Sequence, residues 1–247
     1  MRKTFAWTLA FGLLLSMVVG TSYGQTAQSV LNKMIEAMGG RKTIEAVKDM
    51  TSTGTIEMVQ MGMTAPITIC QKEPNKMRVD LDLSAYQAGL TFTQAYDGIK
   101  AWGTNQQTMA IEEMSEDQSK EFARQAIGNV AFLNPQKLGI TYALKPKATL
   151  DGKDYLVLEQ TLADGHKTTM FVDPETYLIF KSVSTATDPT TGGLAEIESF
   201  VSDYRKVGGM MVPFSARNFQ GGTEIQRFTF SSVTFNTNLD DSLFIMK

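Results

Sequence analysis

The chain has 247 residues, with 23 Lys and Arg against 26 Asp and Glu and a formal charge of −3. That balance argues against a nucleic-acid partner and against a basic membrane-surface protein. One histidine and one cysteine leave little for His- or Cys-based metal ligation and no intramolecular disulfide.

Arg2 and Lys3 precede an apolar run, FAWTLAFGLLLSMVVG (residues 5–20). TSYG then places small Ser22 and Gly24 at the −3 and −1 positions of a cleavage site. The run is about long enough to span a bilayer, so a membrane anchor is the competing reading. The small-residue exit and the polar QTAQS favour a signal peptide over residues 1–24 and a single mature domain over residues 25–247. The mature domain would be exported, to the periplasm of a bacterium or beyond. Losing Arg2 and Lys3 with no acidic residue moves the formal charge from −3 to −5. No cysteine follows the leader directly, so a lipid-modified N-terminus is excluded. Cys70 falls inside an expected strand, as buried packing.

Two short helices open the mature chain. In AQSVLNKMIEAMGG, Val30, Leu31, Met34, Ile35 and Met38 share one helical face, and Gly39-Gly40 stops it. RKTIEAVKDM, with Ile44 and Val47 at i, i+3, predicts a second, shorter helix. After Met50 the period changes to two. In KMRVDLDL, Met77, Val79, Leu81 and Leu83 point one way; Arg78, Asp80 and Asp82 point the other, onto a wet face. Turns are expected at Asp97-Gly98, Asp151-Gly152, Asp164-Gly165, Asp173-Pro174-Glu175, Gly208-Gly209 and Gly221-Gly222. The spacing predicts about ten or eleven antiparallel strands. No βαβ alternation supports a parallel sheet. One helix interrupts them: Ser115 and Gln118 form a capping box, and Phe122, Ala126, Ile127 and Val130 form an apolar stripe that must lie against the sheet.

Catalytic machinery is sparse. His166 beside the Asp164-Gly165 turn reads as a solvated turn residue. No nucleophile elbow, phosphate loop or dinucleotide fingerprint is present. Glu112-Glu113, Glu116-Asp117 and Asp240-Asp241 read as solvated edges or helix starts. A hydrolase would need two carboxylates from separate strands converging in a cleft. The expectation is a non-enzyme with no cofactor and no metal.

Thirteen of the 15 methionines follow residue 24. Each alone reads as core packing. Met58, Met61 and Met63 together, with Met77 on a nearby strand, suggest a pliable pocket wall, because methionine adapts to irregular apolar surfaces. Exposure in a turn at Gly62 would take Met61 and Met63 out of that wall.

QKEPNKMRVDLDL followed by QAYDGIKAWG resembles the lipoprotein-carrier (LolA-like) family of outer-membrane lipoprotein-sorting proteins. Pro74-Asn75, Asp97-Gly98 and Trp102 stand where that family has a Pro-Asn turn, an Asp-Gly hairpin and a following Trp. FVDPETYLIFKSVS, SDYRKVGGMMVPFS and LDDSLFIMK resemble a bacterial branch of exported proteins with this fold. The resemblance implies an incomplete antiparallel β-barrel, mainly β with a few helices, curled around an apolar cavity under a helical lid. The segment over residues 115–131 would be part of that lid, and acyl chains the ligand. The carrier has an Arg before the Pro-Asn pair, where it latches the lid; this chain departs from it with Glu73.

Period-two facing and the lid stripe give an expected lining of Met58, Met77, Val79, Leu81, Leu83, Phe92, Trp102, Phe122 and Ile127. The expected partners are a hydrophobic ligand, such as a lipid, acyl chain or lipoprotein tail, and other envelope proteins; the implied role is envelope lipid or lipoprotein transport. The competing function is an interaction module whose filled interior leaves only a rim or edge strand for docking. A cavity of about 300 Å³ or more favours the ligand.

Overall fold

Thr26 and Ser29 cap each other reciprocally: the Ser29 N–H donates to Thr26 Oγ1 at 3.1 Å and the Thr26 N–H to Ser29 Oγ at 3.0 Å. They start α1 (Ala27–Ala37), whose Val30, Leu31, Met34 and Ile35 are buried. The helix ends at Gly39, where φ is +122° and an added Cβ would stand 2.5 Å from the Gly209 carbonyl oxygen. Only glycine fits that approach. α2 (Arg41–Ala46) follows. These assignments come from a computed structural model describing residues 25–105, 107–188 and 192–246; the expected signal peptide lies outside the described residues.

The strands are β1 (Asp49–Met58), β2 (Met63–Lys72), β3 (Lys76–Asp82), β4 (Thr91–Tyr96), β5 (Ala101–Thr104), β6 (Ile111–Glu113) and β7 (Thr141–Leu150). They continue as β8 (Lys153–Thr161), β9 (Lys167–Val172), β10 (Ile179–Thr187), β11 (Leu194–Val207), β12 (Met210–Gln220) and β13 (Thr223–Phe235). All belong to one antiparallel sheet ordered β6-β5-β4-β3-β2-β1-β13-β12-β11-β10-β9-β8-β7. β1 meets β13 in the middle, and β6 and β7 are free edges, so the barrel stays open. Among the described residues there are thirteen strands, against an expected ten or eleven, in the open antiparallel sheet that the spacing predicts. The weakest patterns belong to the edges: β6 has three residues, and β7 carries Pro146 beside a register break between Lys145 and Ala148. Proline and a bulge at an edge discourage further strand pairing.

The expected single lid helix is two. α3 (Glu116–Gln125) begins at the Ser115–Gln118 capping box, and α4 (Val130–Leu133) follows a link that includes Gly128. Phe122 and Ala126 pack on Met77 and Ala101, while Ile127 lies in the link. Val30 and Met34 of α1 pack on Leu156, Leu158, Met170 and Val172, filling the trough over β8 and β9.

The outer face of β2–β5 is not simply wet, which corrects the reading of Arg78 and Asp80. The C-terminal segment crosses it. Arg78 donates to the Leu243 carbonyl (3.0 Å) and Trp102 Nε1 to the Phe244 carbonyl (2.7 Å), and Phe244 is fully buried. Asp49 accepts the Thr237 N–H at 2.7 Å, and Lys72 and Lys76 flank Asp241 at 2.8 and 3.0 Å.

Candidate functional site

Register fixes which side chains share the helix-covered face. Ile67 pairs with Leu81 and Leu81 with Phe92; Ile69 pairs with Val79, and Met77 with Tyr96. Partners in register point to the same face, so Met77, Val79, Leu81 and Phe92 face inward together. Met58 pairs with Met63, and both pack with the group around Ile56, Ala65, Ile67 and Leu83. No charged residue lies on the inward positions of β1–β4.

Eight of the nine expected lining residues therefore stand on the covered side of the sheet or in the lid. Trp102 does not. It pairs with Ala95, which pairs with Arg78, so it lies on the outer face, its ring centroid 5.7 Å from the Arg78 guanidinium. Phe92 and Ala95 are three apart on β4, and Trp102 follows Ala95. A strand with period two cannot put Phe92 and Trp102 on one face. Met61 is also outside, 72% exposed in the 3₁₀ turn before Gly62. Met63 stays inward.

The lid is tied at several points. The Ala101 N–H donates to Ser119 Oγ at 3.3 Å, and Arg124 Nε reaches Asp164 at 2.8 Å, so α3 runs from β5 to the β8–β9 turn. Tyr142 donates to the Ala131 carbonyl at 3.0 Å, and burial pushes its phenol up to about 12. Glu73 holds the link: its carboxylate accepts the Asn129 N–H at 2.7 Å, while the Gly128 N–H donates to the Pro74 carbonyl at 3.0 Å. A Cβ on Gly128 would stand 2.5 Å from Glu73 Oε1. Glu73 thus grips backbone N–H groups of the lid, where an Arg could only donate.

Burial raises the Glu73 pKa, outweighing the hydrogen bonds that lower it. The native chain then keeps this proton at pH values where the unfolded chain has lost it. The contribution of Glu73 to stability therefore falls as pH rises from the ordinary carboxylate value through the raised one. Glu73→Gln should flatten that part of a denaturant midpoint-versus-pH curve, and an unchanged slope would contradict the assignment. Glu73→Ala, which leaves the Asn129 N–H without its acceptor, should cost about 1–3 kcal/mol.

Two clefts lie under the lid. One of about 150 Å³ is bounded by β1, β2 and the link, with Met50, Glu73 and Phe235 in its wall. The other, about 230 Å³, lies against Met170, Thr168 and Gln160. Ile127 and Phe132 line both. Each cleft alone falls short of the ~300 Å³ at which small-molecule sites begin.

No protein-family model matches the chain, and no curated protein matches it. Solved structures do. A protein described as an outer membrane lipoprotein-sorting protein domain, from Vibrio parahaemolyticus, superposes with a TM-score of 0.61 at 17% identity, over 88% of this chain and 97% of its own. A LolA superfamily protein from Nitrosomonas europaea gives 0.60 at 18% identity, over 90% and 98%. The fold is LolA-like. A DUF1329 family protein from Desulfovibrio piger is similar to the same extent, with 0.60 at 15% identity over 89% and 97%.

Within this LolA-like frame the carboxylates near the clefts have structural partners. Asp49 binds Thr237 and the Leu239 N–H, and Glu73 binds the lid. Among the described residues no group of three or more His, Cys, Asp or Glu is placed to hold a metal ion, and no helix is long and apolar enough to cross a membrane. His166, read from the sequence as a solvated turn residue, is half-buried just after that turn and also lines the larger cleft. Burial and the neighbouring Arg124 lower its pKa, which favours the neutral imidazole. Its period gave no signal because it sits beside a turn; only the path of α3 brings the lid to it.

Proposed function

We propose that this chain is an exported binding protein, not an enzyme, that holds a lipid, acyl chain or lipoprotein tail between sheet and lid. Residues 1–24 would direct export and be removed, leaving residues 25–247 as one LolA-like domain. One observation carries the reading. On the covered face Met58, Met63, Ile69, Val79, Leu81, Leu90, Phe92 and Phe228 are only partly buried around Ile56, Ala65, Ile67 and Leu83. Native side chains leave this wall unfinished. Val79 and Ile69 continue it to Met77 and Phe122 under the lid.

A hydrocarbon guest suits such a wall. Each buried methylene is worth about 0.8 kcal/mol, so a chain of about fifteen offers about 12 kcal/mol gross without any hydrogen-bond pattern. Met58, Met77, Val79, Leu81, Leu83, Phe92, Phe122 and Ile127 are the proposed contacts, with lipid or lipoprotein transport in the envelope as the role. Titration with a fluorescent long-chain acyl probe tests the reading: saturable binding near one site per chain is expected, and no binding by the folded chain overturns it. The modest size of the two clefts favours the second reading, a module with a filled interior that docks another envelope protein. That module would leave the probe unbound.

A further inference from the structure

The larger cleft changes character along its wall. Its buried lining residues, Ala131 and Met170, are apolar; its half-buried ones are mixed, with Ile127, Phe132 and Leu162 beside Arg124, His166, Gln160, Thr168 and Ser184. Arg124 spends only Nε on Asp164, at 2.8 Å; its two terminal nitrogens make no hydrogen bond among the described residues. The His166 imidazole makes none either, because only its backbone N–H reaches Asp164, at 3.0 Å. A guanidinium oriented by one carboxylate keeps a planar, charged donor edge for a second oxyanion.

We propose that this cleft takes a single-chain amphiphile with an anionic head, the chain lying against Met170 and Ile127 and the head on the open edge of Arg124 beside His166. The inference rests on the reading that the trough takes acyl chains and adds the ligand class, but it places this chain against β9 and the lid link, apart from the β1–β4 wall, with Ile127 a proposed contact in both. The volume of about 230 Å³ sets the limit of one chain, since it is smaller than the ~300 Å³ of ordinary ligand sites. The head chemistry follows from the unspent donors of Arg124. A carboxylate and a phosphate monoester share that chemistry.

The test is calorimetric titration of the full chain with four ligands of equal chain length: decanoate, decyl phosphate, decanol and decyltrimethylammonium. A charge-assisted hydrogen bond predicts at least about tenfold tighter binding of one or both oxyanions than of the alcohol. Arg124→Gln should erase that preference. Asp164→Asn, which breaks the same ion pair but keeps the cation, should preserve or raise it, so a loss confined to Arg124→Gln is not a loss of fold. The relative strength of decanoate and decyl phosphate identifies the head group. Equal binding of all four, or a preference that survives Arg124→Gln, overturns the anionic-head assignment and leaves acyl binding standing. If none of the four binds and the long-chain probe also fails, the acyl-binding reading itself falls.

Discussion

Leu81→Asp is expected to weaken binding of a long-chain acyl probe on the order of a hundredfold, because a guest chain would then bury an unpaired carboxylate against hydrocarbon. Leu81 sits between Ile67 of β2 and Phe92 of β4, on a face with no other charge. It is only half-buried in the chain itself, so the new carboxylate can stay hydrated while the trough is empty, and the variant should fold. Thr55→Asp is the control. Thr55 is exposed and pairs with Pro66 on the outer face, and its charge should leave affinity unchanged. A folded Leu81→Asp chain that binds as well as the parent would mean that the covered face of β1–β4 is not the binding surface.

Phe244→Ala should give the largest loss of stability. Phe244 has no exposed surface, and its carbonyl accepts the Trp102 indole N–H at 2.7 Å. Truncating a fully buried Phe typically costs about 3–5 kcal/mol. For a domain of this size that corresponds to roughly 10 °C in Tm. Thermal unfolding followed by circular dichroism measures it, and a Tm within a degree or two of the parent would show that the C-terminal segment is not a structural strap. Probe affinity should survive at temperatures where the variant is folded, since the strap crosses the outer face.

Much of the fold is legible in the sequence. Alternation in KMRVDLDL correctly placed Met77, Val79 and Leu81 inward, because one face of that strand meets hydrocarbon. The turn dipeptides marked real hairpins: Asp151-Gly152, Gly208-Gly209 and Gly221-Gly222 all have positive φ at both residues, the requirement of tight hairpin turns. Gly39-Gly40 ended α1 where expected.

What stayed illegible depended on contacts between distant segments. Arg78 and Asp80 read as wet because alternation reports polarity, not what covers a face; residues 237–244 cover it through the Leu243 and Phe244 carbonyls, the Asp241 carboxylate and the buried Phe244 ring, none of which shows in the pattern of β3. Trp102 was misplaced because a large aromatic suits either side of a sheet, and only the Ala95 pairing decides. The apolar stripe from Phe122 to Val130 hid the break between α3 and α4, which the close fit of Gly128 against Glu73 accompanies. Glu73 read only as a departure from an Arg latch. The identity of the residue could not reveal that backbone N–H groups would face it.

The central claim is that the half-buried apolar wall of β1–β4, which meets the lid at Ile69 and Val79, is completed by a guest. Native mass spectrometry of the chain purified gently from its own envelope tests it most directly. The account predicts a one-to-one adduct of lipid or acyl mass that is lost in Leu81→Asp. A parent chain that carries no such adduct, and acquires none when incubated with envelope lipids, would contradict it.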